Sequence, residues 1–168
     1  FLRTPNRHDY ALKPFEIKPE FNLNSACEKN WVFANIAGEK RVIYGWNPLQ
    51  ICKIDEENPN VLRTVSLKKP SQYPRVFNYI RGSTCGFNYQ DQIWFIVHIV
   101  SHEQPRHYYH MMLVFENTED MKLIKYTPVF KFDEHCIEYC VGLIVEDSRI
   151  ITTYSTWDRS TNIAVYDK

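Results

Sequence analysis

Seven residues at the ends of apolar segments have side chains suited to holding an anion or a sugar: Lys29, Asn30, Trp31, Arg81, His98, Trp157 and Asp158. Lys29, Arg81 and His98 carry groups that take phosphate or carboxylate oxygens, and a guanidinium can do so with two parallel bonds. Arg81 is followed by Gly82-Ser83-Thr84, which adds two hydroxyls and open backbone N–H groups. Asn30 and Asp158 can hold sugar hydroxyls, while the indoles beside them, Trp31 and Trp157, can stack on the C–H face of a pyranose. Both tryptophans could equally serve as packing between sheets. His98 interrupts the apolar run from Ile93 to Val100, a setting in which a histidine is commonly a hydrogen-bonded core residue.

Other chemistries lack their patterns. The Arg81–Thr84 stretch has neither the spacing of a phosphate-binding loop nor that of a dinucleotide fold, and no Gly-x-Ser-x-Gly elbow is present. The stretch Ser101-His102-Glu103-Gln104-Pro105-Arg106-His107-Tyr108-Tyr109-His110 is rich in histidine, but its spacing fits no zinc pattern. On a strand, His107 and Tyr109 face away from Tyr108 and His110, so a polar loop leading into a strand is the reading and no metal is expected. Asp133 and Glu134 read as a solvated turn. No catalytic acid is identifiable.

The elements that must position these residues repeat. Trp31–Tyr44, Gly86–His98 and Gly142–Tyr154 each consist of an apolar strand, a short polar turn and a second apolar strand. Their turns are Gly38-Glu39, Gln90-Asp91-Gln92 and Glu146-Asp147-Ser148, and the second strands end about 55 residues apart. Further strands follow at Leu49–Asp55, Tyr108–Glu116 and Thr161–Asp167, with a fourth near Val61–Leu67 and within Met121–Phe132. Three or four antiparallel strands per unit make the blade of a β-propeller; the alternative is a β-sandwich of evenly spaced hairpins. The expected fold class is therefore all-β, with almost no helix. Residues 29–70, 78–132 and 136–168 would each form a blade, and 1–28 an N-terminal extension or part of an earlier blade. Because a ring needs at least four blades, the remaining ones are expected from the same or another chain. In a propeller, inner-strand ends of successive blades converge on the central funnel, which is why the residue groups named above belong together. Glu138-Tyr139 occupies a corresponding place in the last repeat.

Composition narrows the partners. Lys plus Arg and Asp plus Glu both number 20, so the chain lacks the basic surplus of a nucleic-acid binder. No run approaches the roughly 20 apolar residues of a membrane-spanning helix. The five cysteines, Cys27, Cys52, Cys85, Cys136 and Cys140, are odd in number and several lie in strand-like segments. Buried, reduced thiols in a cytoplasmic setting are expected.

Five motifs in order carry a resemblance: Glu28-Lys-Asn-Trp31, Arg81-Gly-Ser-Thr84, Trp94-Phe-Ile-Val-His98, Gly142-Leu-Ile-Val-Glu-Asp147, and Tyr154-Ser-Thr-Trp-Asp158 followed by Ile163-Ala-Val165. They resemble the later blades of the five-bladed propellers of β-mannoside phosphorylases (glycoside hydrolase family 130) and relatives, some fused to or described as glycosyltransferases. The resemblance implies that Lys29, Arg81 and His98 bind phosphate, and that Asn30 and Asp158, flanked by Trp31 and Trp157, bind sugar. It implies glycans or sugar phosphates as ligands and no cofactor, with inorganic phosphate or a sugar nucleotide as co-substrate. The pattern departs from the family's where Lys29 stands for an Arg and where Val97 and Ile99 flank His98 in place of Tyr and Gly. A non-catalytic glycan-binding module and a purely structural propeller are the rival readings. The first two readings expect Asn30, Arg81, His98 and Asp158 to line one polar pocket.

Overall fold

The computed structural model describes residues 16–21, 28–69 and 73–168. Most of the segment 1–28, including Cys27, lies outside the described residues; of the part that is described, Lys18–Pro19 forms a short strand. Among the described residues the regular structure is strand throughout, except for one 3-10 turn at Arg75–Asn78. No helix among the described residues is long and apolar enough to cross a membrane.

Three sheets follow one another along the chain. In the first, β1 (Lys18–Pro19) runs parallel to the last of four antiparallel strands, β2 (Val32–Ile36), β3 (Glu39–Trp46), β4 (Leu49–Ile54) and β5 (Val61–Lys68). In the second, β6 (Arg81–Gly82) and β7 (Phe87–Tyr89) both pair with β8 (Gln92–Ser101), beyond which lie β9 (His107–Glu116) and β10 (Leu123–Tyr126). The third is a meander of β11 (Glu138–Val145), β12 (Arg149–Thr156) and β13 (Ser160–Asp167).

The hydrophobic pattern explains the stacking. In β2, Val32, Ala34 and Ile36 are buried while the residues between them are exposed, as expected of a strand with one covered face. By contrast, β8 is apolar without alternation because both of its faces are covered. Ile93, Phe95 and Val97 pack with Ile43, Leu49 and Ile51 of the first sheet. Trp94 and Ile96 pack with Leu143, Val145 and Ile150 of the third. Burying a side chain of this size contributes roughly 1.5–3 kcal/mol, so the middle sheet holds the other two in place.

The turns differ slightly from the sequence reading. Ala37 and Gly38 form the first, both with positive φ (50° and 87°), and Glu39 already belongs to β3. Gln92 likewise begins β8. The inner edge of the second sheet is not one continuous strand but is broken between β6 and β7. Thr84 bridges the break: its N–H donates to the Ile96 carbonyl at 3.1 Å, and its hydroxyl accepts from the Ile96 N–H at 2.9 Å. The side chain thus stands in for a missing backbone acceptor. Gly86 N–H donates to the Phe33 carbonyl at 2.7 Å, tying the break to β2. Of the cysteines, Cys52 and Cys140 are buried, and burial pushes their thiols up to about 11 and about 12. Cys85, at the strand break, is exposed rather than buried.

Two glycines offer a test of this packing. A Cβ on Gly82 would lie 2.5 Å from both the Asn30 carbonyl oxygen and Val32 Cγ1, so β6 approaches the first sheet only because that atom is missing. A Cβ on Gly38 would touch nothing, and only its left-handed φ opposes substitution. Gly38→Ala should therefore destabilise by about 1 kcal/mol and Gly82→Ala by roughly 2 kcal/mol or more, through overpacking against backbone. Chemical denaturation of both variants checks the order; a Gly82→Ala protein as stable as Gly38→Ala would mean that the two sheets are not in close contact here.

Candidate functional site

Antiparallel pairing sets Arg81 of β6 opposite His98 of β8, and His98 opposite His110 of β9. Directly opposed residues point to the same side of a sheet, so the three form one polar row on the face toward the third sheet. The row passes from the surface to the interior. Arg81 is partly exposed, His98 is 2% exposed and His110 is fully buried.

At the open end, Lys29 and Asn30, which precede β2, meet Arg81 in a cleft of about 380 Å³. Val100, His102, Arg106 and Tyr108 from the β8–β9 hairpin complete it, and none of the lining side chains is a carboxylate. Among the described residues no ion pair engages Lys29, Arg81 or Arg106. Unpaired cations of like sign collected around one hollow are disfavoured unless an anion offsets their repulsion. Asn30 adopts φ 65° here, a conformation Asn tolerates better than most residues. The hairpin's contribution comes from the overrun of β8 past His98 to Ser101, which pairs with His107 and leaves 102–106 as the tip. The sequence shows the histidines of this loop but not its position beside Lys29.

His98 is not a wall of this cleft. Its ring stacks under Tyr108 (centroids 5.9 Å apart), meets the edge of Tyr139 at 5.2 Å, and its Nδ1 lies 2.8 Å from Ser83 Oγ. Burial, helped by the nearby charges of Arg81 and Lys29, lowers its pKa to about 4. It is therefore neutral near pH 7 and cannot be the third cation of a phosphate site. It supports the cleft from behind, through Tyr108. His110 is buried further, against Phe130 and Phe132 at 5.9 and 4.7 Å, and neither ring nitrogen has a hydrogen-bond partner among the described residues. Its pKa is lowered to about 3 by burial and by His98.

The other expected site residues lie elsewhere. Trp31 packs 5.3 Å from Tyr44 on the outer face of the first sheet, beside Val42, Cys52 and Leu62, so it acts as packing. Glu138 is fully buried and accepts the backbone N–H groups of Phe132 (2.8 Å) and Asp133 (3.1 Å), stapling the loop before β11. Trp157 and Asp158 sit in the β12–β13 turn, and Trp157 lines a separate hollow that shares no residue with the cationic cleft. Asn30 and Arg81 are thus brought together, with His98 behind them, while Asp158 is in another place.

No family model matches the chain, and no curated protein matches it. Among solved structures, a glycosyl hydrolase from Bacteroides ovatus has a similar fold, with a TM-score of 0.54 at 13% sequence identity. The likeness covers 82% of this chain and 48% of that one, so the chain spans about half the length of the structure it matches. At such identity the likeness speaks to fold alone.

The buried histidines predict a pH dependence. Both pKa values lie below the ordinary 6.5, so the unfolded chain takes up protons first as the pH falls. Their stabilising contribution is complete above about pH 6.5 and is lost progressively toward pH 4 and below. For His98 the shift corresponds to on the order of 3 kcal/mol. His110→Leu removes two unpaired buried nitrogens at similar volume. It should raise the melting temperature at pH 7 and flatten its decline between pH 6.5 and 4. A lower melting temperature at pH 7 with an unchanged pH profile would contradict this account of the ring.

Proposed function

We propose that the chain forms blades of a carbohydrate-active β-propeller of the β-mannoside phosphorylase type, acting on glycosidic bonds in the complete protein. Its cationic cleft receives a phosphate group, inorganic or carried by a sugar or sugar nucleotide. The observation that carries this reading is the convergence of Lys29, Asn30 and Arg81, from two successive sheets, with His102 and Arg106 in a hollow lined by no carboxylate. Three consecutive sheets stacked through apolar faces, and the distant likeness in fold to a glycosyl hydrolase, support the architecture. Lys29, Arg81 and Arg106 would hold the phosphate oxygens, Asn30 would accept or donate to a sugar hydroxyl, and His98 would position Tyr108. In phosphorolysis such cations steady the attacking phosphate while an acid elsewhere protonates the leaving oxygen.

Because no carboxylic acid lines the cleft, a second reading has support: the same cleft anchoring an anionic glycan without cleaving it. The two readings share the anion and differ in turnover.

Calorimetric titration of the full chain with inorganic phosphate and with a sugar 1-phosphate tests the shared step. Arg81→Ala and Arg106→Ala should each weaken binding roughly 10- to 100-fold, as expected for losing charged hydrogen bonds. Affinity should also fall as salt rises, and melting temperatures should change little because the groups are open to water. Tight binding that neither substitution alters, or no binding of either phosphate, would remove the cleft from the proposal.

A further inference from the structure

The turn joining β12 to β13 has features that neither packing nor the cationic cleft uses. Its first two residues, Trp157 and Asp158, have φ 56° and 53°. A bulky aromatic residue in the left-handed region is strained, and glycine or asparagine would occupy it more easily. Despite that, the tryptophan is not buried: it is 42% exposed, whereas Trp46 and Trp94 are 5% and 2% exposed and Trp31 packs on Tyr44. Two consecutive left-handed residues are what a tight hairpin turn between β12 and β13 requires, and a tryptophan fills the first of these positions with its indole outward.

The indole is also held still. Trp157 N–H donates to the Ile137 carbonyl at 3.0 Å, and Arg159 N–H donates to the Thr156 carbonyl at 3.1 Å, closing the turn. The Thr156 and Ser160 hydroxyls bond to each other across its base. The indole Nε1–H donates to His135 Nδ1 at 3.3 Å, which fixes the plane of the ring. Trp157, His135, Thr156, Arg159 and Ser160 line an open hollow of about 530 Å³.

We propose that this hollow is a saccharide platform on which a pyranose ring of a glycan stacks against Trp157, its hydroxyls engaging the polar groups around the indole. A fixed, half-open aromatic face rimmed by a guanidinium and an imidazole matches the two-sided character of a pyranose, apolar across its C–H face and polar at its edge. The platform is separate from the cationic cleft, so the two stand or fall independently.

Trp157 is the most exposed of the chain's four tryptophans, so quenching of intrinsic fluorescence by acrylamide reads it directly. The full chain is titrated with β-1,4-mannotetraose and with cellotetraose up to about 10 mM, a range that covers weak glycan binding. At least one tetrasaccharide should protect the emission from acrylamide. Trp157→Ala should abolish the protection and weaken binding at least about tenfold by calorimetry, while Trp157→Phe keeps a stacking face and should lose less. His135→Ala, which frees the indole N–H, should weaken binding several-fold without lowering the melting temperature. Arg81→Ala should leave the protection unchanged, so a failure of the phosphate cleft does not mimic a failure here. Absence of protection by either sugar, or binding untouched by Trp157→Ala, overturns the platform.

Discussion

The fold depends on one sheet being covered on both faces. Strands β8 and β9 carry apolar side chains toward the first sheet and toward the third, and each neighbouring sheet buries an apolar face against them. A strand covered on both faces admits few polar groups, since an unpaired polar atom there loses its water without compensation. His98 and His110 are therefore the conspicuous residues of the middle sheet, and how each is accommodated decides what the nearby surface can do. His98 is partnered by Ser83 and caged by Tyr108 and Tyr139. His110 sits among phenylalanines with its nitrogens unmatched.

The polar row links that interior to the cleft. Arg81 stands at the edge of the same row, and its charge, with that of Lys29, is among the reasons His98 stays neutral. The coupling runs both ways: a neutral imidazole behind Tyr108 adds no repulsion to a hollow already surrounded by cations. A chain with no formal net charge can in this way concentrate positive potential on one small region, where the low-dielectric interior behind it keeps the field from being screened.

Much of the strand order was legible in the sequence because apolar runs separated by short polar turns admit few other structures. The inner strand β2 and the turn at Glu146–Ser148 follow directly from that pattern. Membership of the site was less legible, because it depends on which way a side chain points and how far a hairpin runs. Trp31 and Trp157 look alike in sequence, each beside polar residues at a repeat end. One lies against Tyr44 and the other at the tip of a left-handed turn. Arg106 and His102 reached the cleft only because β8 continues past His98, a length that composition does not encode. The break between β6 and β7 was hidden as well, since Thr84 imitates a strand residue while its hydroxyl does the work of a backbone carbonyl.

That break also fixes the register on which the row depends. A slip of one residue between β6 and β8 would turn Arg81 toward the first sheet and set Gly82 or Ile80 opposite His98 in its place. A matching slip of β8 against its neighbours would move His98 into the apolar layer formed with Ile43 and Leu49, away from Ser83, at the full penalty of an unpaired buried imidazole. The Thr84–Ile96 pair of bonds, the Ser83–His98 contact and the close approach at Gly82 all hold only in the observed register. Hydrophobic burial alone would tolerate the shifted pairing, because β8 is apolar on both sides. The polar contacts do not, and so a few groups lying behind the cleft select the one arrangement of strands in which the cleft exists.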